Sequence, residues 1–124
     1  MASMMNVGHR ALADWGFRFL TIPENAAVLD CGYGGGANLE RLLKKCPYGI
    51  VKGIDCSAVS VEKSQKLNRK AIREGRCTVL QGSVMDMIFA GDWFDVATAF
   101  ETVYFWPDLL QSFREVYRVL KPGG

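Results

Sequence analysis

The sequence predicts an α/β fold in which a doubly wound, mainly parallel sheet is covered by helices on both faces. Short apolar runs alternate with longer segments of helical spacing, and the first two runs each end on an aspartate. Continuous apolar runs are typical of strands buried on both faces, and their alternation with helices favours a parallel sheet. With no internal repeat or linker, we expect one domain over residues 26–124, preceded by a helical segment over residues 1–25.

The first half of the chain contains two predicted strand and helix pairs. Residues 3–20 carry an amphipathic stripe through Val7, Ala11, Leu12, Trp15 and Phe19, and we expect a helix there. The apolar run 26–29 predicts the first strand. The spacing of leucines over 37–46 predicts a helix that ends before Pro47, and residues 50–55 predict the second strand.

A long polar helix should follow the second strand. Ser57 is a suitable N-cap and Gly75 a suitable stop, because short polar side chains begin helices and glycine often ends them. The residues available for its inner face are Ala58, Val61, Leu67 and Ile72.

The remaining segments predict two more strands and a last helix. Residues 77–81 and 94–100 are apolar enough for buried strands, and Pro107 suits the first turn of a helix. The apolar positions expected on the inner face of that helix are Leu110, Phe113, Val116, Tyr117 and Leu120.

The predicted sheet is incomplete at its C-terminal side. The last helix leads to Lys121-Pro122-Gly123-Gly124, whereas a helix in such a fold normally returns the chain for another parallel strand. We therefore expect a fragment of a larger fold. Its fourth strand would present an apolar, unprotected edge, and a homodimer through that edge is the expected association.

Composition restricts the classes of function. The chain has 124 residues, 49% of them hydrophobic and 23% charged, with a net charge of +2. This is the composition of a soluble globular domain, without an apolar segment long enough to span a membrane or a secretion signal at the N-terminus. The dispersed charge does not resemble a nucleic-acid-binding face. We expect a cytoplasmic protein with neither nucleic acid nor a membrane as partner.

The cysteines do not predict a metal site or a disulfide framework. Cys31, Cys46, Cys56 and Cys77 form no Cys-x-x-Cys pair, and His9 is the only histidine. We interpret the cysteines as reduced thiols that act as small, partly buried hydrophobic residues. We expect His9 to be an ordinary helix residue.

The strongest functional signal is a glycine-rich loop. Gly32, Gly34 and Gly36 alternate with other residues directly between the first strand and the following helix, and Asp55 ends the second strand. Glycine allows a sharp turn and the close approach of a ligand, and an acid at the end of the next strand can accept hydrogen bonds from ribose hydroxyls. Together these features indicate a ligand that contains adenosine.

A second acid bears on which ligand this is. Gly32-x-Gly34-x-x-Ala37 satisfies the dinucleotide fingerprint, so an NAD(P)-binding oxidoreductase is one alternative. Asp30, however, precedes the first glycine by two positions and would repel a pyrophosphate. It would suit S-adenosylmethionine, which carries an ammonium and a sulfonium but no phosphate. A binding module without catalytic activity is the third alternative.

Several segments together resemble a known family. Residues 28–36 are similar to the first motif of class I S-adenosylmethionine-dependent methyltransferases, Asp/Glu-x-Gly-x-Gly-x-Gly, and residues 53–57 to the second. Residues 94–101 resemble the fourth strand of that family and residues 118–124 the approach to its fifth. Within that family, the sequence most resembles the type 11 domain. This resemblance implies a Rossmann-like methyltransferase core of seven strands, of which this chain stops before the fifth.

The resemblance also implies roles for individual residues. Asp30 with Gly32, Gly34 and Gly36 would hold the methionine part of S-adenosyl-L-methionine, and Asp55 the ribose hydroxyls. The other implied positions are Cys56, Ser83 and Val84 around the adenine and the backbone of Phe100 at the methionine end. Ser83 departs from the family pattern, in which aspartate is frequent.

No catalytic residue can be assigned from the sequence. Methyl transfer from a sulfonium needs alignment and the exclusion of water more than a general base. No Ser/His/Asp or Cys/His arrangement is legible. The acceptor, expected to be a small molecule, would approach near Glu101 or the aromatic cluster Tyr104-Phe105-Trp106, which could equally belong to the core.

Overall fold

The computed structural model of the protein describes residues 21–100 and 106–124. The elements over this part are the strands β1 (Ala27–Cys31), β2 (Ile50–Asp55), β3 (Cys77–Gln81) and β4 (Val96–Thr98) and the helices α1 (Ala37–Lys45), α2 (Ala58–Leu67), α3 (Arg69–Arg73) and α4 (Leu109–Val119). The expected helix over residues 3–20, and with it His9, lies outside the described residues.

The four strands form one parallel sheet in the order β3-β2-β1-β4. Val28 of β1 is level with Val51 of β2 and with Val96 of β4, so the carboxyl ends of the strands lie along one edge. The strand order reverses beside β1, which is where open α/β sheets bind ligands. The predicted α/β fold with a parallel sheet is confirmed.

Apolar layers cover both faces of the sheet. Val28 belongs to the layer that includes Leu39 and Leu42 of α1, whereas the adjacent Leu29 belongs to the layer that includes Phe94 and Val119. Successive side chains of a strand point to opposite faces, so this alternation along β1 is what separates the two layers. The first strand is therefore buried on both sides, as its apolar run predicts.

The fourth strand is shorter than predicted. It spans Val96–Thr98 and not 94–100, because the backbone of Phe94 pairs with the end of the chain instead of with a strand. Phe94 donates its N–H to Val119 O at 2.9 Å and accepts from Lys121 N at 2.8 Å. The carboxylate of Asp95 reinforces this closure through Ala27 N and the ammonium of Lys121.

The predicted long helix after Ser57 is two helices that meet at Asn68. The Ser57 hydroxyl accepts from Ser60 N, so its prediction as the N-cap is confirmed. Val61 and Ile72 pack against the core as expected, whereas Ala58 and Leu67 are exposed. Ser64 and Asn68 are buried in their place, because their side chains bind the glycine loop.

The last helix presents a different face to the sheet than its apolar pattern predicts. Ser112 and Val119 are buried and Val116 and Leu120 partly so, but Leu110 is 63% exposed and Tyr117 83%. Phe113 is also exposed.

Polar contacts at long range explain that orientation. Glu115 accepts a hydrogen bond from Met87 N at 2.8 Å, and Arg118 donates to Met87 O and Phe89 O, both at 2.9 Å. The pKa of Glu115 is lowered, first by its hydrogen bond with Arg118. These bonds tie α4 to the segment before β4 and fix the rotation of the helix.

Cys31, Cys46 and Cys77 are buried as predicted, but Cys56 is exposed. Across residues 21–100 and 106–124, no group of His, Cys, Asp and Glu side chains could hold a metal ion. The helices of the same ranges are all too short or too polar to cross a lipid bilayer.

Candidate functional site

The glycine loop between β1 and α1 lies at the carboxyl edge of the sheet. Gly32 donates its N–H to Ile54 O at 2.7 Å, and Gly36 donates to Tyr33 O at 3.2 Å. Gly34 has a φ of 57°, in the left-handed region that side chains disfavour. Apart from Gly34 itself and its two neighbours in the chain, no atom of the described residues lies within 4 Å of where a Cβ at Gly34 would stand, so one side of the loop is open.

Asp55 is held in a defined orientation at the end of β2. One carboxylate oxygen accepts from Gly34 N and the other from Ser57 N, each at 2.9 Å. A carboxylate has about four acceptor positions, so each oxygen retains one for a ligand. The loop and the second strand thus present a fixed pair of hydrogen-bond acceptors.

Asp30 is buried at the end of β1, on the sheet side of the loop. The Thr98 hydroxyl donates to its Oδ1 at 2.9 Å, while Oδ2 has no hydrogen-bond partner among residues 21–100 and 106–124. Burial raises the pKa of Asp30 to about 7, the Thr98 hydrogen bond opposes this rise, and the charge of Asp55 adds to it. An unpaired buried carboxylate oxygen is costly, which marks it as a position for a cationic partner.

A cavity of about 330 Å³ opens beside Asp55. Its volume lies within the usual range for small-molecule sites. The residues that line it come from the carboxyl ends of β1, β2 and β3 and from the start of α4: Gly32, Ile54, Asp55, Cys56, Gly82, Ser83, Val84, Met85, Trp106, Pro107 and Ser112.

The structure brings together five of the nine residues predicted to bind the cofactor. Gly32, Asp55, Cys56, Ser83 and Val84 all line the cavity. Ser83 lies in a turn in which its hydroxyl accepts from Met85 N at 3.1 Å.

The other four predicted residues do not line the cavity. Asp30 is buried below the loop, and Gly34 is bonded to Asp55. Gly36 lies against Ser64 and Asn68 of the neighbouring helix, and Phe100 packs against the layer that contains α1.

Two groups of residues at the site were not predicted as cofactor contacts. Trp106 lines the cavity and also packs edge-on against Phe113, with ring centroids 5.6 Å apart, so it is both a packing residue and a wall of the cavity. Tyr104, Phe105 and Glu101 lie outside the described residues. Tyr33 is buried, and its hydroxyl donates to Leu80 O at 3.2 Å.

The position of Tyr33 explains a small residue in β2. A Cβ at Gly53 would come within 2.5 Å of the Tyr33 ring. The loop is therefore packed onto β2 and bonded to β3 through one side chain. An aromatic residue inside a glycine run, with a glycine in the next strand, is the sequence signal that could have indicated this contact.

With this geometry in place, comparison with known proteins identifies the family. A family model described as a methyltransferase domain matches residues 28–124. The chain belongs to this methyltransferase family, and the resemblance to class I S-adenosylmethionine-dependent methyltransferases is confirmed.

Individual relatives agree with this assignment. The chain is 39% identical over 97 residues to sterol methyltransferase-like 2 of Botryococcus braunii, covering 78% of this chain and 25% of the relative. It is 34% identical over 104 residues to cycloartenol-C-24-methyltransferase 1 of Oryza sativa, covering 84% and 30%. The chain thus spans about a third or less of the length of these two relatives.

A solved structure supports the fold. The crystal structure of a protein from Methanococcus maripaludis superimposes with a TM-score of 0.76 at 28% identity, over 88% of this chain and 49% of that one.

Proposed function

We propose that the protein binds S-adenosyl-L-methionine and transfers its methyl group to a small-molecule acceptor. The observation that carries this proposal is Asp55, whose carboxylate is oriented by two backbone amides at the mouth of the cavity. A carboxylate fixed in this way can accept from both hydroxyls of a ribose. Family membership supports the same donor.

The charges of the site fit this donor better than a dinucleotide. The free Oδ2 of Asp30 lies under the loop and suits an ammonium, whereas a pyrophosphate there would meet a second acid beside Asp55. The open side of Gly34 leaves room for the methionine chain. We assign the adenine to the part of the cavity formed by Cys56, Ser83 and Val84.

The residues of this chain would act mainly by alignment. When bound, S-adenosylmethionine supplies a methyl group on a positively charged sulfur, which leaves as the neutral thioether of S-adenosylhomocysteine. Asp55 would fix the ribose and Asp30 the amino end, so that the methyl group has one orientation. The apolar side chains of Met85 and Trp106 would help to keep water out of the cavity. The acceptor would gain the methyl group, and a neutral acceptor would then release one proton to solvent.

The proposed acceptor is apolar at the end that enters the site. Trp106 and Pro107 form an apolar wall of the cavity, and two relatives are named for sterol substrates. Sterols are therefore the first class of acceptor to test. The four cysteines are thiols and not disulfides, which supports a reducing compartment, and we propose the cytosol.

Isothermal titration calorimetry tests the choice of donor. S-adenosylhomocysteine should bind with measurable heat, while NAD and NADP should give none under the same conditions. Heat with a nicotinamide cofactor and none with S-adenosylhomocysteine would contradict the proposal.

Transfer is tested separately from binding. The chain is incubated with donor labelled in its methyl group and with a panel of sterols and other small acceptors, and labelled product is quantified. Binding of S-adenosylhomocysteine without transfer to any acceptor would favour a binding module without catalytic activity.

A further inference from the structure

We propose that Ser64 and Asn68, two buried polar residues of the helix pair α2 and α3, are positioning residues that hold the glycine loop in its ligand-binding shape. The inference rests on the proposed function, because the loop is assigned to the methionine part of the donor. Neither residue lines the cavity, so their effect would be transmitted through the loop.

Both side chains donate hydrogen bonds to carbonyl groups of the loop. The Ser64 hydroxyl donates to Gly34 O at 3.2 Å, and the Asn68 amide donates to Gly36 O at 3.2 Å. Asn68 also donates to Ser64 O at 3.2 Å, which links the two side chains. Ser64 is fully buried and Asn68 nearly so. Loss of the Ser64 hydroxyl would remove the hydrogen bond to Gly34 O, whereas Gly36 O would lose Asn68 but keep the bond from Glu40 N at 3.1 Å.

The peptide groups of Gly34 are consequently fixed on two sides. Its N–H donates to Asp55 and its carbonyl accepts from Ser64. The ribose-binding carboxylate and the buried helix face therefore hold the same residue. A shift of the loop away from Ser64 would also disturb the orientation of Asp55.

The contact is too close for any side chain at Gly36. A Cβ there would lie 2.5 Å from Ser64 Oγ and 2.9 Å from Asn68 Nδ2, and the φ of Gly36 is 96°. This assigns Gly36 a second task beside the implied contact with the donor, namely the docking of α2 against the loop.

The orientation of α2 is difficult to explain by apolar burial. The helix buries Ser64, while Val59 is 60% exposed and Leu67 48%. A helix is ordinarily stabilised by turning its apolar residues inward. Here the inward positions are given to hydrogen-bond donors that match the carbonyls of the loop. The helix breaks at Asn68, whose backbone lies outside the helical region.

The first test uses amide exchange in the chain without ligand. Ser64→Ala removes one oxygen and preserves the helix, and Gln65→Ala is the matched control because Gln65 is the exposed neighbour. We expect the N–H of Gly34 to exchange with solvent about tenfold faster in Ser64→Ala, as for the loss of one hydrogen bond, and to be unchanged in Gln65→Ala. The amides of β2 should retain their protection from exchange in both variants.

The second test separates the parts of the donor. Affinities for S-adenosylhomocysteine and for adenosine are measured well below the unfolding temperature of each variant. Ser64→Ala and Asn68→Ala should lower the affinity for S-adenosylhomocysteine on the order of tenfold. The affinity for adenosine should fall less, because the methionine part of the donor contacts the loop.

A lower unfolding temperature with unchanged Gly34 exchange and unchanged affinities would overturn the inference, since Ser64 and Asn68 would then be structural only. If the unmodified chain fails to bind S-adenosylhomocysteine, the proposed function fails, while the exchange experiment still decides whether Ser64 holds the loop.

Discussion

Asp30 is a buried acid whose proposed role in binding would come at the expense of stability. Its carboxyl group is buried, has one hydrogen-bond donor in Thr98, and lies near the charge of Asp55. Its pKa in the folded chain, about 7, is above the value of 3.8 for an unperturbed aspartate. The folded state therefore holds the proton more tightly than the unfolded state.

This difference gives a pH-dependent stability prediction for Asp30→Asn. The contribution of the protonated Asp30 carboxyl to the free energy of unfolding is fully present below about pH 4 and is lost as pH rises through about 7. We expect Asp30→Asn to be more stable than the unmodified chain near pH 8, by up to about 4 kcal/mol since one pKa unit corresponds to about 1.4 kcal/mol. Urea unfolding near pH 4 and near pH 8 measures the difference in stability between the two chains.

The advantage of the asparagine variant should narrow near pH 4, where the aspartate is protonated as well. The same variant should bind S-adenosylhomocysteine more weakly near pH 8. Equal stability of the two chains at all pH values would show that burial of Asp30 carries no charge penalty.

Asp55→Ala tests the other acid. We expect the affinity for S-adenosylhomocysteine to fall by about a hundredfold with the fold retained, because two hydrogen bonds to a charged group would be lost. Calorimetry gives the affinity and circular dichroism checks the fold. The control is Glu62→Ala, since Glu62 is an exposed acid of α2 that does not line the cavity. An unchanged affinity in Asp55→Ala would remove Asp55 from the site.

Among the helices, α1 depends on a distant arginine at its C-terminus. The Arg76 guanidinium donates to Leu43 O at 3.0 Å, to Cys46 O at 2.9 Å and to Gly49 O at 3.3 Å. The final carbonyls of a helix have no partner within it, so a cation there satisfies them and interacts favourably with the helix dipole.

Arg76→Ala should therefore destabilise the fold by about 2 to 3 kcal/mol, the range for hydrogen bonds to charged groups. Arg73→Ala, an exposed arginine at the end of α3, should change the stability by less than about 0.5 kcal/mol. Chemical denaturation of both variants provides the comparison. Equal effects would mean that the three bonds of Arg76 contribute nothing beyond its charge.

At this scale, the sequence predicts the strands better than the helix faces. β2 and β3 have the predicted bounds because short runs rich in apolar and β-branched residues, bounded by glycine or polar residues, are typical of strands. The rotation of α4 depends on Glu115 and Arg118 bonding to Met87 and Phe89, and the polar inner face of α2 on the loop carbonyls. Such contacts join residues far apart in sequence and leave no periodic signal.

The site residues also divide into those that the local sequence predicts and those that depend on contacts between distant parts of the chain. Gly32, Asp55 and Cys56 follow strand ends and could be placed from the sequence alone. Trp106 and Ser112 reach the cavity only because α4 starts beside it, which depends on how the chain returns from β4.

For the molecule as a whole, β4 is the edge that could support association. Among the described residues it pairs with β1 on one side only. Asp95 donates its N–H to Ala27 O, and alternate residues of a strand point their amides in opposite directions, so the N–H of Val96 faces away from β1. We propose a homodimer through this edge.

Sedimentation velocity over a wide range of concentration tests this dimer. We expect reversible dimerisation of the unmodified chain and its loss in Val96→Pro, which removes the outward amide without removing a bond to β1. Circular dichroism verifies that the variant folds. A monomer at every concentration would contradict the proposal.

The exposure of Cys56 has a practical consequence. Burial raises the pKa of Cys31 to about 12 and that of Cys77 to about 11, and burial also raises the pKa of Cys46, so these three thiols are poor nucleophiles near neutral pH. Cys56 is the exposed cysteine, and it borders the cavity next to Asp55. A maleimide reagent should therefore attach at one position of the unmodified chain, and a ligand that fills the cavity should protect that position from labelling.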